Sequence, residues 1–253
     1  MAKPLIVGNW KGYINSLKEA KRLFKDLEKK LPRELKADIV VCTPHPLLDA
    51  LARSYRGSRI TFGAQDAFYE TGAHTGEVSA QLVKDTKAKY VIVGHAERRA
   101  KGETDEIVAK KVGAALDARL TPIVCVGESV RDKDGHYLKE LGESVLASLD
   151  LVGPSALKKI VIAYEPVWAI GAPLPPNART IRETIIFIRK VLASRYDKND
   201  VLKVRIIYGG AVNGDIVNEL VLESDAGGFL LGRAGIDPEE FATIVQASLE
   251  KKK

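Results

Sequence analysis

Four polar residues that could move a proton and stabilise negative charge each follow a short apolar run in this 253-residue sequence. Asn9 and Lys11 come after the first run, His95 after a later one, and Glu165 after another. A carboxylate can remove a proton from a carbon next to a carbonyl group. A histidine and a lysine can stabilise the charge that then develops on oxygen. The residue types therefore predict proton abstraction beside a carbonyl, provided that the fold brings them together.

Two glycine-rich segments, residues 208–210 and 231–233, also follow apolar runs. Loops of this kind bind phosphate through exposed backbone N–H groups. Together with the polar residues they favour a small phosphorylated carbonyl compound as substrate. Each feature alone also has a structural explanation, because glycines serve tight turns and a single histidine or glutamate is often only a hydrogen-bonding group or an ion-pair partner.

The sequence has no grouping of residues that is typical of a metal or cofactor site. Cys42 and Cys125 lie far apart in apolar runs, which predicts buried reduced thiols and no zinc site. The glycine motif of dinucleotide-binding folds is absent after the first apolar run, where residues 8–12 read Gly-Asn-Trp-Lys-Gly. We therefore expect no metal site.

Short apolar runs alternate with longer amphipathic segments along the whole chain. The runs are apolar almost continuously, which is typical of strands that are covered on both faces. The predicted strands are residues 5–8, 39–42, 60–64, 90–93, 122–126, 159–163, 204–208 and 228–231. The predicted helices are residues 16–31, 46–55, 79–85, 104–119, 138–149, 180–196, 215–222 and 237–252.

Eight strand–helix units predict an α/β fold of the (β/α)₈ TIM-barrel type, eight parallel strands ringed by helices, in one domain over residues 1–253. Helical connections make the strands parallel, and eight such units can close into a barrel. The loops after the strands then share one rim, which would bring the polar residues together. A doubly wound open sheet is the structural alternative, and the missing dinucleotide motif argues against it.

Charge and composition exclude several classes of partner. The formal net charge is +6, but basic residues alternate with acids in the predicted helices and aromatic residues make up only 6%, so we expect no nucleic-acid partner. No apolar run approaches the ~18 residues that span a bilayer, and the first residues do not form a secretory signal. These observations predict a cytoplasmic protein without a membrane partner.

At these motifs the sequence resembles the triosephosphate isomerase family. The stretches that carry the resemblance occur in family order along the chain, at residues 8–11, 75–79, 93–99, 103–105, 121–128, 164–171, 208–210 and 228–230. The resemblance implies the interconversion of dihydroxyacetone phosphate and D-glyceraldehyde 3-phosphate through an enediolate, in glycolysis and gluconeogenesis. It implies no cofactor.

The resemblance also implies a role for each residue on the rim. Glu165 would carry the proton between the two carbons, and His95 would act as the electrophile at the oxygens. Lys11 would stabilise the enediolate and bind the phosphate, Asn9 would place the substrate oxygens, and Glu97 would support Lys11. The substrate-binding residues implied in addition are Gly171, Ala211, Gly232 and Arg233, and the clamp on the glutamate is formed by Ile170 and Leu230. The implied lid residues are Pro166, Val167, Trp168, Pro173, Pro176 and Tyr208.

A homodimer is a further implication of the resemblance. In the family, the loop that carries Thr75, Gly76 and Glu77 inserts into the neighbouring subunit near its Lys11 and Glu97. From the residues alone this stretch would be only a long exposed loop.

The sequence departs from the family mainly around the lid. Ala96 and Ala211 replace serines, Arg233 replaces a glycine, and residues 171–176 read Gly-Ala-Pro-Leu-Pro-Pro where Gly-Thr-Gly-Lys-Thr-Ala is usual. In the family, the N–H at position 173 donates to a hydroxyl at position 211, but here Pro173 has no N–H and Ala211 has no hydroxyl. Pro176 likewise has no N–H to donate to the hydroxyl of Tyr208. We expect a stiffer lid that is held by packing, and an arginine at 233 would be strained if its φ had to be positive.

Two other functions remain open at this point. Another phosphate-binding barrel enzyme, such as a lyase or synthase of amino-acid biosynthesis, would share the glycine-rich loops but would not need His95 and Glu165 in these motifs. A non-catalytic barrel used for binding or as a scaffold is supported only by the altered lid.

Overall fold

A closed barrel of parallel strands forms the centre of the computed structural model, which describes residues 3–169 and 175–250. Each strand pairs with its neighbours in chain order, and the last strand pairs with the first, Leu5 opposite Gly228. The predicted barrel is confirmed, and the open-sheet alternative is wrong. The strands are β1 (Leu5–Asn9), β2 (Asp38–Thr43), β3 (Ile60–Ala64), β4 (Tyr90–Val93), β5 (Thr121–Val126), β6 (Val161–Tyr164), β7 (Arg205–Tyr208) and β8 (Gly228–Leu231).

Helices surround the barrel, and side-chain caps mark where several of them begin. Ser16, Thr104, Asn177 and Asp237 each accept a hydrogen bond from a backbone N–H in the first turn of the helix that follows. The helices are α1 (Leu17–Lys30), α2 (His45–Ser54), α3 (Ala80–Asp85), α4 (Ala96–Arg99), α5 (Asp105–Asp117), α6 (His136–Ser148), α7 (Ala178–Ala193), α8 (Lys198–Lys203), α9 (Val217–Glu223) and α10 (Pro238–Leu249).

The predicted sixth strand was placed too early in the chain. Residues Pro154–Lys159 form a 3₁₀ helix that begins with a proline, so β6 starts only at Val161 and runs to Tyr164. Helices α4 and α8 were not predicted, and the four residues of α4 are too few for a helical hydrophobic pattern. The other boundaries differ from the predictions by three residues at most.

Alternate residues of the strands fill the barrel interior, and the others pack against the helices. Leu5, Val7 and Leu230 belong to the interior cluster, whereas Ile6 lies in the layer between strands and helices. Cys42 and Cys125 are free thiols within the interior cluster, as predicted. Burial raises the pKa of both thiols, so both stay protonated at neutral pH.

The seam between β1 and β8 depends on a glycine. Gly228 has a φ of +141°, and a Cβ atom built there would lie 1.9 Å from the carbonyl oxygen of Leu5. Any side chain at this position would therefore push the two strands apart. Among the helices of the described residues, none has the length and apolar character needed to cross a bilayer.

Candidate active site

The sequence-predicted polar residues lie where strands end. Asn9 is the last residue of β1, with Lys11 two positions later. His95 follows β4 by two residues, Glu165 comes directly after β6, and Gly232 comes directly after β8. Because all strands are parallel in one closed barrel, these positions share the rim at the carboxyl ends of the strands.

His95 and Glu165 are in contact. The Nε2 atom of His95 lies 3.3 Å from Oε1 of Glu165, and both residues are buried, with 8% and 6% of their surface exposed. The other carboxylate oxygen, Oε2, accepts a hydrogen bond of 3.0 Å from the backbone N–H of Ala96. The backbone N–H of Ala96 therefore holds the Glu165 carboxylate, although Ala96 lacks the hydroxyl group of the serine that the family usually has at this position.

The hydrogen bonds of His95 define its protonation. Its Nδ1 atom accepts a hydrogen bond of 3.2 Å from the backbone N–H of Glu97. Nδ1 therefore carries no proton, the ring is neutral, and its single N–H lies at Nε2, on the side of Glu165. His95 is also the residue that caps α4. The ring is set up to donate a hydrogen bond.

Lys11 has an unusual backbone conformation. Its φ is +45°, in the left-handed region that residues with side chains avoid. Two hydrogen bonds stabilise this conformation, one of 3.0 Å from the N–H of Lys11 to Oδ1 of Asn9 and one of 3.0 Å from Nε2 of Gln65 to the carbonyl of Lys11. The Lys11 ammonium group lies 2.5 Å from Oε1 of Glu97.

The pKa of Glu97 reflects this ion pair. Burial raises the pKa of its carboxyl group, but the hydrogen bond from Lys11 and the charges of Lys11 and Lys101 outweigh burial and lower the pKa from its ordinary value. Glu97 is therefore ionised at neutral pH and holds the Lys11 ammonium group in place.

Two glycines make room for Glu165. A Cβ atom at Gly209 would lie 2.9 Å from Cγ of Glu165, and one at Gly127 would lie 1.7 Å from its carbonyl oxygen. The backbone of Glu165 is fixed by a hydrogen bond of 2.8 Å from its N–H to the carbonyl of Val126. Gly127 after β5 and Gly209 after β7 therefore leave the space that Glu165 occupies.

A second buried glutamate, Glu128, lies beside the segment that follows Glu165. Its Oε1 atom accepts hydrogen bonds from Arg131 at 3.1 Å, from the hydroxyl of Tyr164 at 2.9 Å and from the indole of Trp168 at 2.8 Å. Trp168 belongs to a 3₁₀ turn, Val167–Ala169, and this turn begins after the buried Pro166. Glu128 thus fixes the start of the predicted lid.

Sequence reasoning assigned no role to Gln65 or Glu128. Gln65 directly follows β3, and Glu128 follows β5 by two residues. The rule that located His95 and Glu165, a polar residue just beyond a strand, would have found both if it had been applied to the third and fifth strands.

The remaining predicted residues have less definite surroundings. Gly232 lies close to Lys11, since a Cβ at Gly232 would be 3.5 Å from Cε of the lysine. Arg233 is exposed and opens a 3₁₀ helix, Arg233–Ile236, with a φ outside the left-handed region, so the predicted strain is absent. Ala211 is exposed. Leu230 packs in the barrel interior.

The predicted lid is described only in part. Pro176 is buried, and the hydroxyl of Tyr208 is buried without a hydrogen-bond partner among the described residues. Burial raises the pKa of Tyr208, which keeps this hydroxyl protonated. Ile170, Gly171 and Pro173 lie outside the described residues.

A cavity of about 430 Å³ opens beside the rim. Asn9, Lys11, His95 and Glu97 line one side of it, and residues 76–78 line another. Thr75, Gly76 and Glu77 are all exposed, on a loop whose ends meet through the pairing of Phe68 with Ser79.

Within residues 3–169 and 175–250, one group of side chains has the proximity that a metal site needs. Asp132, Asp134 and His136 place ligand atoms within 4.8 Å of one another at the start of α6. Two of the three residues are exposed, and Asp132 already accepts hydrogen bonds from the N–H groups of His136 and Tyr137. Capping of α6 accounts for this cluster.

Comparison with known proteins decides the family. The model of the triosephosphate isomerase family matches residues 4–248. The chain belongs to the triosephosphate isomerase family. Triosephosphate isomerase of Moorella thermoacetica is 42% identical over 97% of this chain and 98% of its own length, and that of Thermoanaerobacter pseudethanolicus is 41% identical over 97% and 99%. The enzyme of Vesicomyosocius okutanii is 40% identical over 98% of this chain and its own full length.

Membership in the triosephosphate isomerase family makes the chain an isomerase. It also favours the isomerase over the alternative of a lyase or synthase built on a similar barrel.

Proposed function

We propose that the chain interconverts dihydroxyacetone phosphate and D-glyceraldehyde 3-phosphate with Glu165 as the base, His95 as the electrophile and Lys11 as the cationic group. One observation carries this assignment. A buried carboxylate lies 3.3 Å from the proton-bearing nitrogen of a neutral imidazole on the same rim as an ammonium group. Catalysis beside a carbonyl needs these three groups together.

In the proposed reaction, Glu165 removes a proton from the carbon next to the substrate carbonyl. The electrons of the C–H bond form a carbon–carbon double bond, and negative charge develops on the carbonyl oxygen. The Nε2–H group of His95 donates a hydrogen bond to that oxygen, and the Lys11 ammonium group stabilises the enediolate. The charged oxygen takes the Nε2 proton of His95, and the ring regains a proton from the hydroxyl group on the neighbouring carbon, so that the first oxygen becomes a hydroxyl and the second a carbonyl oxygen. Glu165 returns its proton to the carbon that held the original carbonyl group, which completes the exchange between ketone and aldehyde.

We assign the phosphate group of the substrate to the space between Lys11 and the loop that follows β8. Gly232 follows β8 next to Lys11, and Arg233 keeps its backbone N–H. We assign phosphate binding to the N–H groups of Gly232, Arg233, Ala211 and Gly171 together with the charge of Lys11. Residues 166–168, Pro173, Pro176 and Tyr208 are assigned to a lid, and Ile170 and Leu230 to a clamp on Glu165.

The proposed assembly is a homodimer. The exposed loop with Thr75, Gly76 and Glu77 and the cavity beside Lys11 and Glu97 are complementary features of one chain, and two copies could exchange them. Light scattering after gel filtration tests this, with a dimer expected for the natural chain and a monomer for Thr75→Lys. We further assign the chain to one domain in the cytoplasm and to glycolysis and gluconeogenesis.

A coupled assay on D-glyceraldehyde 3-phosphate tests the activity. We expect turnover by the natural chain and a loss of about 10³-fold or more in Glu165→Ala, because a general base contributes about 10²–10⁴-fold. An inactive natural chain would favour the non-catalytic alternative. Turnover that is unchanged in Glu165→Ala would mean that the base is assigned wrongly.

A further inference from the structure

Arg99 makes an unusual set of contacts just behind the rim. It is the last residue of α4, the short helix that His95 caps. Its guanidinium group donates from Nε to the carbonyl of Gly94 at 2.8 Å and from NH2 to the carbonyl of Cys125 at 3.2 Å. The same group donates to Asp105 at 2.5 Å and to Ser148 at 3.0 Å.

The two carbonyl groups lie where the pairing of β4 with β5 ends. The last paired residues of the two strands are Val93 and Val124, so Gly94 and Cys125 would form the next rung. Gly94 has a φ of +69° and turns away from the ladder. The guanidinium group of Arg99 binds both carbonyls at this level and thereby replaces the missing rung.

One of these carbonyls is next to an active-site residue, and the other is next to a residue that binds the backbone of a second one. Gly94 immediately precedes His95. Cys125 precedes Val126, whose carbonyl accepts the hydrogen bond from the N–H of Glu165. One planar, charged group thus joins the backbone that carries the imidazole to the strand, β5, that accepts the hydrogen bond from the backbone of Glu165.

The far side of the guanidinium group is fixed as well. Oδ1 of Asp105 accepts hydrogen bonds from Arg99, from the hydroxyl of Ser144 at 2.8 Å and from the hydroxyl of Ser148 at 2.9 Å. Ser148 is fully buried. The ion pair with Asp105 leaves the guanidinium group little freedom to move, which a spacer between two catalytic groups requires, and Ser148 adds only a neutral hydrogen bond.

We propose that Arg99 is a positioning residue that sets the distance between His95 and Glu165, an inference that rests on the proposed function. Arg99 touches neither substrate nor reacting atoms in this role. Its loss therefore changes the rate of the chemical step and leaves phosphate binding intact.

The test compares Arg99→Lys with Ser148→Ala in the isomerase assay. Lysine keeps the charge but cannot reach both carbonyls, whereas Ser148→Ala removes a partner of Arg99 and leaves both carbonyl contacts. We expect Arg99→Lys to lower kcat by about 10²-fold, the effect of a misplacement of about 1 Å. Its KM and its inhibition constant for inorganic phosphate should stay within about threefold of the natural values. Ser148→Ala should keep kcat within about threefold.

A spectroscopic measurement separates positioning from a merely structural role. In ¹⁵N NMR spectra, the ring signals of His95 should shift in Arg99→Lys and stay unchanged in Ser148→Ala. Asp105→Asn, which loosens Arg99 without removing it, should shift the same signals and provides the test if Arg99→Lys does not fold.

Three results would overturn the proposal in different ways. A folded Arg99→Lys variant with natural kcat, or unchanged His95 signals in Arg99→Lys and Asp105→Asn, would refute the role of Arg99. A parallel loss of kcat and of phosphate affinity would also refute it. An inactive natural chain would instead refute the proposed function.

Discussion

Two buried glutamates lie on neighbouring parts of the rim and have opposite surroundings. Oε1 of Glu128 accepts three side-chain hydrogen bonds, one of them from an arginine. Glu165 accepts one backbone hydrogen bond on Oε2 and faces the neutral ring of His95 with Oε1. Both are almost fully buried, at 2% and 6% exposure.

The difference shows how one fold separates a structural carboxylate from a reactive one. Three donors on one oxygen hold Glu128 in place, so it has little tendency to move. Few donors leave Glu165 free to exchange its partners for a substrate. The glycines beside Glu165, Gly127 and Gly209, add the space that such a movement needs.

The sharpest test of this comparison replaces each glutamate by its amide. Glu165→Gln should lower kcat by about 10³-fold or more, because the amide cannot act as a base. Glu128→Gln should lower kcat by less than about tenfold, since its role is to hold the lid segment. Steady-state kinetics on both triose phosphates measures the two effects. Similar losses in the two variants would contradict the separation of roles.

The next largest effect is expected at the partner of Glu165. His95→Ala should lower kcat by about 10²–10³-fold, the usual loss when one hydrogen-bond donor to a developing oxyanion is removed. His136→Ala is the matched control, because the His136 side chain is 81% exposed at the start of α6. A loss of comparable size in the control would show that the assay reports on folding instead of chemistry.

A stability measurement then distinguishes Glu128 from a surface glutamate. Glu128→Gln should lower the free energy of unfolding by about 1.5–3 kcal/mol, because hydrogen bonds to a buried charged acceptor are lost. Glu183→Gln, which affects only an exposed pair with Arg179, should change it by about 0.5 kcal/mol or less. Urea denaturation followed by tryptophan fluorescence reports both values. Equal changes would mean that the Glu128 network contributes little.

The smallest effect concerns Glu97, whose side chain is 57% exposed. Its pKa in the folded chain is lowered from the ordinary value of 4.5, so the ionised form is the one that folding favours. The stability from its pair with Lys11 is therefore present above pH 4.5 and is lost as the pH falls through the lowered pKa. Glu97→Gln should be less stable than the natural chain by under about 1 kcal/mol at pH 7. In urea titrations this difference should vanish in acid, and a constant difference would refute the prediction.

The barrel could be predicted from the sequence because strands covered on both faces are almost continuously apolar. The pattern placed the strands and also located Lys11, His95 and Glu165, since a rule about strand ends needs only strand positions. It failed at residues 159 and 160, which were predicted to begin the sixth strand, because a 3₁₀ helix that starts at Pro154 extends to Lys159.

The supporting residues were not predictable in the same way. The contacts of Arg99 reach Cys125 and Ser148, 26 and 49 positions along the chain, and no local pattern marks such pairs. The left-handed backbone of Lys11 depends on Gln65, 54 positions away. Local propensity argues against that conformation, so only the assembled fold explains it.

The seam at Gly228 has a consequence for how the chain folds during synthesis. β1 cannot pair with β8 until the ribosome has synthesised β8. Until then the growing sheet has two open edges that can pair with other chains. The ribosome must release residue 231 before closure can begin. The two open edges therefore persist through most of the synthesis of the chain, and closure of the barrel is a late event in folding.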